Sequence, residues 1–201
     1  MVWINFSFFA TFLNVAHLYN GYGMEEKQLI EGCVRGESRA RQALYELYAP
    51  AMLSVCQRYV GNRQTAQDLL HDGFVKLFTK IHSYRGTGSF DGWVRRIFVT
   101  TALEYLRRNK VMQQGDGIEK ASHLEVEPDV SLFENLSPDN LFALIARLPY
   151  RCRTIFNMYA IEEYTHSEIA KELKINEGTS RSQYARARQL LQKILMDYDK
   201  L

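Results

Sequence analysis

Two hundred and one residues, 46% hydrophobic and 24% charged with only four prolines, make one large domain or two small ones and exclude a disordered chain. The formal net charge of +2 conceals an asymmetry: residues 76–110 carry eight Lys/Arg against Asp91 and Glu104, residues 111–137 carry six acids against Lys120, and residues 179–193 carry four cations and no acid. Cys33, Cys56 and Cys152 are odd in number, far apart and without metal-ligand spacing, which argues against a disulfide framework and a zinc site and fits a reducing cytoplasm.

Residues 1–23 are uncharged and rich in aromatics (Trp3, Phe6, Phe8, Phe9, Phe12). They lack a basic n-region and a small-residue cleavage site, and Asn5, Asn14, His17 and Asn20 interrupt the apolar run. The expected reading is a non-native extension ahead of Met24-Glu25-Glu26, with no membrane insertion. From Ser38 onward, Val/Ile/Thr alternation is almost absent and apolar residues recur at helical spacing, so the expected fold class is all-α. Leu44, Leu47, Tyr48, Leu53, Val55 and Tyr59 mark a helix expected to kink or restart at Pro50. Gly61 then stops it, and Asn62 is placed to cap the next. Residues 63–81 bury Ala66, Leu70, Phe74, Leu77, Phe78 and Ile81. The glycine-rich run SYRGTGS follows, with Ser89 as cap of a helix carrying Phe90, Trp93, Val94, Ile97, Thr101 and Leu106 on its inner face.

Residues 113–128, with two glycines, a proline and aperiodic acids, form a linker. Helix resumes at Ser137-Pro138-Asp139, pauses at Pro149, and continues over 151–160. Thr165-His166-Ser167-Glu168 is a capping box that opens a helix burying Ile169, Ala170 and Leu173, and Asn176 caps the last helix. At about 100° per residue, Tyr184, Ala187, Leu191, Ile194 and Leu195 face the core of this pair. Gly178, Thr179, Ser182, Arg186, Gln189 and Lys193 face out, with Arg181 on the flank. Small residues for close approach, hydroxyls for phosphates and arginine for guanine are what a helix-turn-helix lays in the major groove.

The first domain offers two further faces. Asp68, His71, Asp72 and Val75 share one stripe at i, i+3, i+4 and i+7. A metal site there, as in a metal-dependent hydrolase, would need ligands that no other part of the chain supplies. A docking face for a partner protein is the alternative, beside a merely solvated surface. Residues 84–110 interleave Arg85, Arg95, Arg96, Arg107 and Arg108 with Tyr84, Phe90, Trp93 and Phe98. That suits single-stranded DNA, whose bases stack while arginines hold phosphates, and SYRGTGS offers a pocket for an extruded base.

Three stretches, DLLHDGFVKLF (68–78), YRGTGSFDGWVRRIFVTTALEYLRR (84–108) and YTHSEIAKELKINEGTSRSQYARARQLL (164–191), resemble the extracytoplasmic-function sigma factors. The resemblance implies two small helical domains, 24–110 (region two) and 138–201 (region four), joined by the flexible acidic linker 111–137. It implies core RNA polymerase binding through its clamp at Asp68, His71, Asp72 and Val75. Minus-ten binding falls to Tyr84, Arg85, Trp93, Arg96, Thr100 and Arg107, and minus-thirty-five binding to Thr179, Arg181, Ser182, Gln183 and Arg186. Implied partners are promoter DNA, as duplex and as non-template single strand, and an anti-sigma factor. No cofactor, metal, small-molecule substrate or enzymatic activity is implied, and the location is cytoplasmic. The chain departs from the family at His71 (commonly Gln), Thr100 (Asn) and Glu104 (Asp), and residues 1–23 have no family counterpart. The competing reading is an autonomous helix-turn-helix regulator, which would bind duplex tightly by itself.

Overall fold

Capping chemistry sets where each helix begins, and apolar spacing sets what it packs against. The computed structural model describes residues 25–109 and 143–198, so the leader 1–23, the linker 111–137 and the helix start at Ser137-Pro138-Asp139 lie outside the described residues. The described residues fall into two units, and every regular element among them is helical.

In the first unit, α1 (Glu26–Val34) opens on a capping box made by Glu25 and Gln28. Gly32 gives α2 (Ser38–Val60) its close approach, since a Cβ there would lie 2.7 Å from that of Ala40. α2 runs through Pro50 as one helix, so the chain does not restart there. Proline removes one i→i−4 bond, but Pro50 and Glu46 are both exposed to solvent, where that loss costs little. The other side of the helix buries Leu44, Leu47, Tyr48, Met52 and Val55, at about 1.5–3 kcal/mol for each large side chain, enough to hold both halves in one helix. Gly61, in the left-handed region at φ 69°, ends α2, and Asn62 caps α3 (Arg63–Lys80) by accepting from the Thr65 N–H at 3.0 Å. A single 3-10 turn (Ile81–Ser83) leads to the glycine loop. Ser89 then caps α4 (Phe90–Arg108), accepting from the Gly92 N–H at 3.1 Å.

α2, α3 and α4 pack mutually around Tyr48, Tyr59, Leu69, Phe74, Leu77, Phe98 and Leu106. The Tyr48 hydroxyl donates to Asp91 in the first turn of α4. Gly73 lets α3 and α4 meet at the face of the Phe98 ring.

The second unit contains a helical turn at 143–146, α5 (Tyr150–Phe156), a π-helical turn (Asn157–Ile161), α6 (His166–Leu173) and α7 (Glu177–Tyr198). The single helix expected over 151–160 is therefore α up to Phe156 and π beyond, marked by the Glu162 N–H bonding the Asn157 carbonyl at 2.9 Å. The wider turn keeps both Asn157 and Met158 buried. Between α6 and α7, Lys174 at φ 56° makes the left-handed residue of the turn. Its core is Ile145, Leu148, Cys152, Ile155, Met158, Ile169, Ala187 and Leu191. Ala170 and Leu173, expected to be buried, are only half so.

Candidate nucleic-acid interface

α3 buries Ala66, Leu69, Leu70, Phe74 and Leu77, which leaves Asp68, His71, Asp72 and Val75 together on its outer stripe. Val75, 53% exposed, is an aliphatic side chain held in water within a row of acids. Among the described residues no three His, Cys, Asp or Glu side chains converge as a metal site would require.

α4 is buried over a wide arc by Val94, Phe98, Val99, Thr101, Ala102, Leu103 and Leu106. At about 100° per residue the remaining arc carries Arg96, Arg107, Thr100, Trp93 and Glu104, with Ile97 at its edge. Trp93 and Ile97, expected on the inner face, are thus half-buried, because the α2 and α3 contacts fall on the opposite side of the helix. Trp93 stacks on Phe90 with centroids 5.7 Å apart, and Tyr84 leans on both rings at 5.4 and 5.1 Å. The Tyr84 hydroxyl donates to the Gly88 carbonyl at 2.9 Å and so closes the loop on itself. Burial, and after it the charges of Glu26 and Asp91, raises the Tyr84 pKa. Gly86 (φ 71°) and Gly88 (φ 86°) need the left-handed freedom that lets a loop this short turn, with Arg85 exposed beside them. At the other end of the arc, the Lys76 ammonium reaches across from α3 to Glu104 at 2.6 Å.

In the second unit the capping box forms as the sequence requires. The Thr165 hydroxyl oxygen accepts from the Glu168 N–H at 3.2 Å, and Glu168 accepts from the Thr165 N–H at 2.8 Å. Asn176 caps α7, accepting from the Thr179 N–H at 2.6 Å and from the Thr179 hydroxyl at 2.9 Å. Ser180, Ala187, Leu191 and Leu195 face the core. Ser182 and Lys193 are exposed, and Thr179 and Arg186 lie partly exposed beside them. Arg181 sits on the flank, as expected, and Gln183 sits on the opposite one. Gln183 accepts from the Cys152 thiol at 3.2 Å, and Arg181 donates to Glu177 one turn before it. Arg188 lies over the Tyr184 ring at 5.9 Å.

Sequence reasoning missed a cluster beneath this face. His166 stacks on Tyr159 at 4.2 Å, Tyr159 meets Tyr184 at 4.5 Å, and the His166 Nδ1 lies 2.9 Å from the hydroxyl of fully buried Ser180. Burial, then the charge of Arg181, lowers the His166 pKa, with Glu177 opposing. The available signal was Ser180, which falls on the apolar side of α7.

The first unit matches the sigma-70 region 2 model over residues 44–111, and the second matches the sigma-70 region 4 model over residues 139–191. The RNA polymerase sigma-H factor of Pseudomonas aeruginosa is 27% identical over 85% of this chain and 94% of its own. The extracytoplasmic-function sigma-E factor of Haemophilus influenzae is 26% identical over 84% and 94%. This chain is an extracytoplasmic-function sigma factor. It directs promoter recognition and transcription initiation by RNA polymerase, and the two region models fall on the units that carry the two DNA-suited faces. Among solved structures, the sigma factor RpoE of Bartonella quintana, crystallised with the anti-sigma factor NepR, is 20% identical over 79% of this chain and 97% of its own, with a TM-score of 0.48. Within this sigma factor's described residues, no helix is long and apolar enough to cross a membrane.

Proposed function

We propose that the initiation step is divided among three faces. Asp68, His71, Asp72 and Val75 on α3 meet the polymerase clamp, acids toward a basic surface with Val75 buried on contact. Tyr84, Arg85, Trp93, Arg96, Thr100 and Arg107 take the non-template strand of the minus-ten element. The Tyr84–Phe90–Trp93 stack is the wall, the glycine loop receives an extruded base, and the arginines hold phosphates. Thr179, Ser182 and Arg186, with Arg181 and Gln183 at the flanks, read the minus-thirty-five duplex in the major groove. The domain limits follow as 24–110 and 138–201, with 111–137 as an acidic linker that mimics nucleic-acid charge as it runs through polymerase.

The observation that carries this reading is the exposed arc of α4, where cations lie beside a wall of stacked aromatics. The chain performs no covalent chemistry and works in the cytoplasm. An anti-sigma factor is its expected inhibitor, as the solved relative's own partner suggests. The test is capture of core RNA polymerase by the full chain, followed by promoter-dependent transcription. Wild-type protein that neither binds polymerase nor initiates would overturn the reading, and tight duplex binding without polymerase would favour an autonomous regulator.

A further inference from the structure

Glu104 is the one acid on the exposed arc of α4 among the described residues. At about 100° per residue it stands about 40° from Thr100 and about 60° from Arg107. A bare carboxylate there would repel a phosphate chain and compete with it for the arginines. Glu104 is not bare. Lys76 leaves the edge of α3, crosses to α4 and holds the Glu104 carboxylate at 2.6 Å, with its side chain 32% exposed and that of Glu104 44%. Exposed ion pairs of this kind add little to folding, so stability gives no strong reason for the contact.

We propose that Lys76 is a positioning residue for the promoter strand. It acts through Glu104, neutralising the carboxylate and turning it toward α3, so that the arc of Arg96, Thr100 and Arg107 presents only cationic and neutral groups. The inference rests on α4 being the strand-binding face. It assigns Lys76 no contact with a base and no role in the clamp contact, which belongs to the Asp68–Asp72 stripe. The residue acting on DNA is therefore supplied by the helix next to the one that touches it.

The test uses the full chain assembled with core RNA polymerase. A fluorescein-labelled single-stranded DNA is first selected from a randomised pool by the wild-type holoenzyme, and binding of each variant is then followed by anisotropy across a salt series. Lys76→Ala should weaken binding about threefold to tenfold at low salt, with the loss shrinking as salt screens it. Glu104→Gln alone should bind at least as tightly as wild type. The double variant should return to wild-type affinity, because the anion that needed neutralising is gone. A double variant as weak as Lys76→Ala would overturn the proposal by showing that Lys76 grips DNA itself. Equal weakening by both single variants, with equal losses of melting temperature, would overturn it in favour of a role in packing alone. Arg96→Ala separates the underlying reading: if it leaves binding unchanged, α4 is not the strand face.

Discussion

Substituting Gly73 by alanine sets two known effects against each other. In a helix interior alanine is favoured over glycine by about 1 kcal/mol, so propensity alone predicts a more stable protein. The structure predicts the reverse. A Cβ at Gly73 would lie 3.0 Å from Cζ of Phe98 and closer still to two other carbons of that ring. The ring has nowhere to go, being fully buried and set edge-on against Phe74 at 5.1 Å. Overpacking of this kind costs about 1–3 kcal/mol, and a clash with three atoms of a confined ring belongs at the upper end. Subtracting the propensity gain leaves a net loss of about 2 kcal/mol, or about 1 M in urea midpoint for a slope of about 2 kcal/mol/M. Trp93, in the same unit, reports the transition by its fluorescence. Adding Phe98→Leu to Gly73→Ala should recover part of the loss by shortening the offending side chain. A midpoint that rises for Gly73→Ala alone would refute the packing argument and leave propensity as the controlling effect.

Charge reversal of the α3 stripe, Asp68→Lys with Asp72→Lys, should sharply reduce capture of core polymerase in a pull-down while leaving the thermal melt within a degree or two, since both side chains are exposed. Arg186→Ala should cost about 1–3 kcal/mol of discrimination between a selected duplex and its base-substituted versions if the guanidinium reads a base, whereas a uniform loss across sequences would mark it as a phosphate contact. The depressed pKa of His166 makes the second unit pH-sensitive. The unfolded state takes up the proton first, so the contribution is complete above the unfolded value of about 6.5 and is lost as pH falls through that value toward the folded one. Melting of the full chain at stepped pH should show this decline, and His166→Gln should flatten it. A decline that persists unchanged in the variant would assign it to other groups.

The fold was legible wherever a local rule and the tertiary packing agreed. Asn62, Ser89, Thr165 and Asn176 cap their helices as their positions demand, because capping involves only a residue and the turn after it. The same locality explains why the sequence left a restart at Pro50 open, where a local cost is outweighed by apolar side chains contributed from both halves of α2. The π turn at Asn157 leaves no mark in apolar periodicity, since one added residue per turn is smaller than the tolerance of the pattern. Trp93 was assigned to the wrong side because the many apolar positions on α4 admit more than one inner arc. Only the locations of α2 and α3 choose between them. Gln183 and Arg181 illustrate a further limit: a helical wheel places side chains by angle, and long ones bend to a neighbour when a thiol or a carboxylate waits there.

Those two bent side chains bear on how the faces work. On α7 nearly every expected DNA-reading side chain is already tied in place: Thr179 by Asn176, Ser182 to the Thr179 carbonyl at 3.1 Å, Gln183 by Cys152 and Arg181 by Glu177. Duplex DNA presents its groups on a fixed lattice, so side chains held before contact avoid an ordering cost of about 0.5–1.5 kcal/mol each. A separated strand has no such lattice, and what it offers at any position is a base face and a phosphate nearby. In the proposed division the first unit meets that case differently. Its rigid parts are the Tyr84–Phe90–Trp93 wall and the deeply buried back of α4, while Arg85 and Arg96 are exposed on long stems. Rigid walls with reaching cations tolerate a flexible ligand, and preset polar groups suit a stiff one. Under the proposed division of the faces, the same chain would meet the same promoter by two physical strategies, each matched to the form in which the DNA arrives.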